Sequence, residues 1–208
     1  MKKALILDLD NTIYPVSAIA DELFSKLFDM VDEFREMLND PASKDIKYDF
    51  TQQPYQHVAE KYHFSAELTE KGLQHLQNLT YDKPIKPYNG YNEIKALAVE
   101  KYLVTSGFSK LQQSKIEMLG IANDFREIYI VDQQLASRTK KDVFTGFISN
   151  YGYKPDDILV IGDDPHSEIK AAIELGIDTF LYDPLNKYPA TKVTYRSSNL
   201  ADVCNAIG

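Results

Sequence analysis

The chain has 208 residues, 44% of them hydrophobic and 26% charged, with a formal net charge of −8. That length supports one substantial core, or a core plus a small insert, and the composition is that of an ordinary globular protein. The acidic balance excludes a large nucleic-acid footprint, which needs a basic face, and no apolar stretch nears the roughly 20 residues of a membrane helix.

The first element is the run Ala4–Thr12. Four small or apolar residues lead into Asp8, and Asp10 follows two places later. An apolar run of this length reads as a buried parallel strand. Its two acids then fall at the carboxyl edge of a sheet, where open α/β sheets bind ligands. After Pro15 the pattern changes. Ile19, Leu23, Leu27, Val31 and Phe34, flanked by Leu38, form a helical stripe over 19–38. A polar segment with Pro41 follows, then two more helical patterns, Pro54–Tyr62 and Ser65–Leu79. Pro84 and Pro87 mark a return linker. Residues 14–83 thus read as a helical insert with no strand of its own, dividing the core into 1–13 and 84–208.

From there helices and strands alternate. The spacing predicts a helix over Tyr91–Val99, a strand over Tyr102–Thr105 and a helix over Ser109–Leu119 stopped by Gly120. A strand at Glu127–Val131, a helix at Lys140–Asn150 and a strand at Ile158–Ile161 come next. A helix at Ser167–Leu175 and a strand at Thr179–Tyr182 complete the pattern. Such alternation indicates βαβ units and a parallel sheet. The expected fold is α/β, a three-layer sandwich with a helical cap inserted after its first strand.

Ile158–Asp164 repeats the design of the first strand: four apolar residues, a glycine, then Asp163 and Asp164. If the two strands are neighbours, Asp8, Asp10, Asp163 and Asp164 converge. Carboxylates this close repel unless a proton or cation compensates them. An all-oxygen cluster suits a hard cation, Mg²⁺ or Ca²⁺.

Four segments carry a family resemblance. Asp8–Thr12, Leu103–Gly107, the basic stretch Thr139–Phe144 and Gly162–Glu168 resemble, in order, the four motifs of the haloacid dehalogenase-like hydrolase superfamily. The resemblance spans nearly the whole chain. Asn11–Pro15 followed by a helical insert is similar to the branch that contains pyrimidine 5′-nucleotidase-like phosphatases. The resemblance implies a Rossmann-like core, Mg²⁺ as cofactor and a small phosphorylated substrate.

It also implies roles. Asp8 is the candidate nucleophile, since a carboxylate can attack phosphorus to give an aspartyl-phosphate; the alternative is a metal ligand only. Asp10 is the candidate general acid and base, with a pKa raised by neighbouring carboxylates and a metal contact through its backbone carbonyl; the alternative is a turn acid. Asp163 is the candidate side-chain metal ligand, with Asp164 in support. The expected metal set is therefore Asp8, Asp10 and Asp163.

Thr105 and Ser106 are the candidate phosphate-binding residues, helped by the helix start near Ser109. Lys140 is the candidate phosphate-neutralising cation, preferred over Lys141 because its spacing to Phe144 resembles the family's helix start. Glu168 stands where the family usually has an aspartate, so an indirect role competes with that of a plain helix acid. His166 is unassigned. The insert's aromatics, Tyr48, Phe50, Tyr55, Tyr62 and Phe64, read as core packing before a base-stacking pocket.

The leading expectation is a Mg²⁺-dependent phosphatase acting on a small monoester, a nucleoside 5′-monophosphate or a sugar phosphate. A 2-haloacid dehalogenase is the alternative in another reaction class. The resemblance weighs against it, because those enzymes lack the acid at Asp10. A phosphomutase would share the site. The lone Cys204 excludes an internal disulfide and points to a reducing cytoplasm. The apolar run after Lys3 is too short for a signal peptide. The remaining expectations are no nucleic-acid polymer, no membrane, and a monomer or homodimer.

Overall fold

The computed structural model describes residues 1–38, 43–132, 134–135 and 137–208; the polar segment around Pro41 and the side chain of Leu38 lie outside the described set. Six strands form one sheet in the order β3-β2-β1-β4-β5-β6, and every neighbouring pair is parallel. β1 is Ala4–Leu7, β2 Glu100–Ser106, β3 Glu127–Val131, β4 Ile158–Gly162, β5 Asp178–Tyr182 and β6 Tyr195–Ser197. Between β1 and β2 run α1 (Ala20–Leu23), α2 (Ser25–Leu38), α3 (Ser43–Phe50), α4 (Tyr55–Lys61), α5 (Ala66–Asn78) and α6 (Tyr91–Lys95). Then α7 (Ser109–Leu119) follows β2, α8 (Lys140–Asn150) follows β3 and α9 (Glu168–Glu174) follows β4. No described helix is long and apolar enough to cross a membrane.

Period-two alternation along β1 explains the three layers. Ala4 and Ile6 face Val143, Phe144 and Phe147 of α8 and Ala171 and Ala172 of α9. Leu5 and Leu7 face the other way, into a cluster with Tyr91 and Ile94 of α6 and Leu111 and Ile116 of α7. That second cluster continues without a break into Leu27, Phe28, Val31, Phe50 and Tyr55 of the helical insert. The insert is therefore seated on the core by apolar burial. Hydrogen bonds join it to the core as well. Asn11 Nδ2 donates to the Thr51 carbonyl at 2.8 Å, and Lys187 Nζ donates to the Tyr48 hydroxyl and to Gln52 Oε1, both at 2.7 Å.

The strand order places β1 between β2 and β4, at the point where the connections reverse direction. That is the position at which open α/β sheets form a ligand crevice. Leu7 pairs in register with Leu103 on one side and Ile161 on the other. The residues that follow these three strands consequently leave the sheet side by side.

Four elements differ from the sequence expectation. The stripe over 19–38 is divided at Phe24, where φ is −103° and ψ 11°. The helix from Tyr91 ends at Lys95, because the chain must reverse before Glu100 donates its N–H to the Lys3 carbonyl at 3.2 Å. α3 lies partly within the stretch read as polar; its apolar signal is only Ile46 and Phe50, one turn apart and both buried. β6 is three residues long and largely exposed, so it carries no buried alternation.

Candidate active site

Asp8 directly follows β1, and its N–H donates to the Ile161 carbonyl of β4 at 3.0 Å. Its side chain is buried, and Oδ1 accepts from Lys140 Nζ at 2.7 Å. Lys140 opens α8 after a Thr139–Asp142 capping box, which fixes where the helix starts and which face Lys140 takes. Phe144, one turn on, is fully buried on the same face. Lys141 points outward instead and pairs with Glu174.

Lys140 also reaches Glu168 Oε2 at 2.7 Å. Glu168 is 1% exposed, and its Oε1 accepts from the Asp164 N–H at 2.9 Å. Glycine is required behind it: a Cβ on Gly162 would lie 2.1 Å from Glu168 Oε1. The plain helix-acid reading of Glu168 therefore does not describe this residue. Asp163, half-buried, accepts from the Thr12 hydroxyl at 3.1 Å. Asp8, Asp163 and Glu168 each offer an oxygen within 4.8 Å of the others.

These carboxyls share one ammonium, and their proton affinities follow. Burial pushes Asp8 up to about 7; Lys140 opposes this, and the charges of Glu168 and Asp10 add to it. Burial, then the Glu168 and Asp8 carboxylates, hold Asp163 well above its ordinary range. Lys140 is held well above its ordinary value because Asp8 and Glu168 outweigh the cost of its burial. Such a cluster can take up a proton or a cation.

Asp10 faces a different set of partners. Its Oδ1 accepts from the Tyr14 hydroxyl at 2.6 Å and from Lys115 Nζ at 2.8 Å, and its Oδ2 accepts from Gln112 Nε2 at 2.9 Å. Burial would raise its pKa, but Lys115, with the hydrogen bonds from Lys115, Tyr14 and Gln112, outweighs burial and lowers it. The expected upward shift is thus reversed, and the cause is a buried lysine on α7. The Asp10 side chain is not among the three oxygens above, which leaves its backbone carbonyl as the expected metal contact; Glu168 is the third carboxylate of the group.

Thr105 and Ser106 end β2. Thr105 is 1% exposed, and its hydroxyl accepts from Gln112 Nε2 at 2.6 Å. Ser106 is exposed. Gly107 has φ +144°, a conformation that favours glycine, and a Cβ there would press on Gln112 at 3.2 Å. The helix start at Ser109 is already capped: its N–H and its hydroxyl both donate to Asp132 Oδ2 at 2.8 Å. The expected help of that helix end toward phosphate is therefore taken by a carboxylate. His166 is exposed, and its N–H donates to Asp164 Oδ1 at 2.8 Å.

Asp8, Asp10, Thr105, Ser106, Lys140 and Asp163 all line one cavity of about 250 Å³ between the sheet edge and the helical insert. Its apolar wall includes Phe50 and Tyr55, which stack at 5.7 Å between ring centroids within the insert's core. Sequence reasoning missed Thr12, Tyr14, Gln112 and Lys115. For the last two a signal exists: Lys115 interrupts the spacing Leu111, Lys115, Leu119, and Gln112 stands one turn before Ile116.

Comparison with known proteins gives this arrangement its context. The chain is 24% identical over 199 residues to a glyceraldehyde 3-phosphate phosphatase from Methanopyrus kandleri, covering 86% of this chain and 83% of that one. A ribulose-1,5-bisphosphate 5-phosphatase from Halopiger xanaduensis is 23% identical over 107 residues, 51% of this chain and 44% of its own length. The magnesium-bound HAD-hydrolase YfnB from Bacillus subtilis has the same fold, with a TM-score of 0.67 at 20% identity, over 100% of this chain and 99% of that one. The family model for haloacid dehalogenase-like hydrolases matches residues 5–182, and the chain belongs to that family.

Proposed function

We propose that this protein is a Mg²⁺-dependent phosphatase that hydrolyses a small phosphate monoester through an aspartyl-phosphate on Asp8. The carrying observation is Asp8 itself: it is ion-paired to Lys140, lies within 4.8 Å of Asp163 and Glu168, and opens on an insert-covered cavity. The curated relatives are phosphatases by name, which supports the reaction class. Within that class we propose a nucleoside 5′-monophosphate or a sugar phosphate as substrate. Residues 14–83 then act as a cap over a catalytic core of 1–13 and 84–208.

The donor set fits the metal. Its donors are all oxygen, and one ammonium leaves the cluster anionic, which suits a hard cation that uses one or two carboxylates plus phosphate. Asp8, Asp163 and the Asp10 backbone carbonyl would hold Mg²⁺, which would neutralise charge on a phosphoryl oxygen. The protein's own groups do the rest. Lys140 offsets the charge of the phosphoryl oxygens and of Asp8. A carboxylate oxygen of Asp8 bonds to phosphorus as the ester P–O bond breaks. Asp10 gives its proton to the leaving oxygen, releasing an alcohol. It then takes a proton from the water that attacks phosphorus, and free phosphate and the Asp8 carboxylate are restored. Asp10 rests ionised beside Lys115; the substrate's negative charge raises its proton affinity. The proton it gives the leaving oxygen is the one the phosphate monoester carries in as its monoanion. The proton it takes from water goes to the departing phosphate. Thr105 and Ser106 bind phosphoryl oxygens at the end of β2.

The test is hydrolysis of phenyl phosphate in EDTA and after restoring Mg²⁺, with acid-quenched trapping of phosphate on the protein. Activity is expected only with Mg²⁺. Covalent phosphate is expected on the wild type and not on Asp8→Asn. Full activity in EDTA refutes the metal role, and turnover by Asp8→Asn at the wild-type rate refutes the nucleophile.

A further inference from the structure

Away from Lys140, the cavity wall has a chemistry that sets the charge of what fits there. The insert supplies Phe24, Leu27, Phe50 and Leu76 as apolar surface, and Gln53 and Gln56 as amides. Among the described residues, the insert places no lysine, arginine or histidine in this wall. The only described cations that line the cavity are Lys115 and Lys140. Both belong to the core and both are already paired, with Asp10 and with Asp8 and Glu168. The insert's Lys47 and Lys61 are held on Asp32 and Asp49. Lys187 binds Tyr48 and Gln52 and is not among the lining residues.

Six carboxyl side chains also line the cavity: Asp8, Asp10, Asp132, Asp163, Asp164 and Glu168. Once the phosphoryl group uses the metal and Lys140, a second anion on the substrate meets no unpaired cation among the described lining residues. It would give up its hydration for amides and apolar surface in a negative field. A neutral hydroxyl or carbonyl loses nothing comparable. The side-chain amides of Gln53 and Gln56 have no protein partner among the described residues, and each offers both a donor and an acceptor.

We infer, resting on the phosphatase reading, that the leaving group is neutral and amphipathic. It packs an apolar face on Phe24, Phe50 and Leu76, presents hydroxyl or carbonyl groups to Gln53 and Gln56, and carries no second phosphate or carboxylate. The small cavity limits its size: about 250 Å³ lies below the roughly 300–1,000 Å³ usual for ligand pockets. The absent cation is the repulsive part of the specificity, and the amides are the attractive part.

The test uses matched pairs that differ by one carboxylate: phenyl phosphate against 4-carboxyphenyl phosphate, and glyceraldehyde 3-phosphate against 3-phosphoglycerate. With Mg²⁺, kcat/KM is expected to favour the neutral member of each pair by about 10²-fold, the scale of pocket-based discrimination. Gln56→Lys and Gln53→Lys each add a cation to the wall and should narrow that ratio about tenfold or more. A wild-type ratio within threefold of unity overturns the inference while leaving the phosphatase reading intact. A large ratio that neither lysine variant moves overturns the insert as its source. No turnover of phenyl phosphate at all refutes the phosphatase reading and this inference with it.

Discussion

Replacing Lys140 by methionine keeps most of the side chain's apolar stem and removes the one cation between Asp8 and Glu168. Both ion pairs span 2.7 Å, and all three groups are at most 8% exposed. Unit charges at that spacing attract by about 6 kcal/mol at an effective dielectric of 20. Most of this offsets the hydration lost on burial, so the pairs themselves add little net stability. Stripping one partner is different, because it leaves two carboxylates buried without compensation, at a cost of about 3–5 kcal/mol. Lys141→Met is the internal control. Lys141 and Glu174 are both more than a third exposed, and such surface pairs are worth at most about 1 kcal/mol.

The cost must depend on pH, and its sign is fixed. Asp8 sits at about 7 in the native protein against an ordinary 3.8. A native group that binds its proton more tightly than the unfolded chain stabilises at low pH. That contribution is lost as pH rises from about 4 through about 7. Without Lys140, Asp8 loses the cation that opposes its burial, so its proton affinity rises further; a proton compensates it more fully at pH 5.5 than at pH 8, which limits the damage at the lower pH. Urea melts in EDTA should therefore show Lys140→Met losing more at pH 8 than at pH 5.5. Mg²⁺ should restore part of the loss, since a ligand at a hundred times its Kd adds about 2.7 kcal/mol. A variant within about 1 kcal/mol of wild type at pH 8 in EDTA would refute the reasoning, as would Lys141→Met costing as much as Lys140→Met.

Asp10→Asn should slow alkyl phosphates more than aryl phosphates, because an aryl oxide leaves without much protonation. General-acid help is worth about 10²–10⁴-fold, and equal losses for both ester types would count against Asp10 as the acid. Gly162→Ala places a methyl 2.1 Å from Glu168 Oε1 and 2.4 Å from its Cγ. It should cost about 1–3 kcal/mol, the usual toll of overpacking, and weaken Mg²⁺ binding by displacing Glu168; an unchanged melting temperature with unchanged Mg²⁺ affinity would contradict this.

How much of this was legible in the sequence depends on whether a side chain's partner is local. The core strands were readable because both faces of the sheet are buried, and each strand is then a short apolar run. Position at the carboxyl edge followed directly for Asp8 and Asp163, since the residue after a buried strand has nowhere else to go. Lys140 could be preferred because its spacing to Phe144 resembles the family's helix start; in the structure it reaches Asp8, whereas its neighbour Lys141 pairs with Glu174. α3 and β6 left too few apolar positions to register a period.

The environment of Asp10 was hidden for another reason. Lys115 is 105 residues away in the chain, and Gln112 is 102. On a helix surface both residue types read as solvated, and solvated is the commoner outcome. What distinguishes them is that α7 follows β2 and packs on the same face of the sheet as Leu5 and Leu7. Its apolar stripe therefore runs toward the edge where β1 releases Asp10. A lysine in that stripe must end at a carboxylate or remain an unpaired buried charge, and among the described residues the acid at Asp10 is the one within its reach, at 2.8 Å. Proximity to other acids alone predicts a raised pKa for Asp10. Adding one lysine set in an apolar stripe reverses the sign, so an acid pair at a strand end cannot be assigned proton affinities until the helix facing it has been searched for cations.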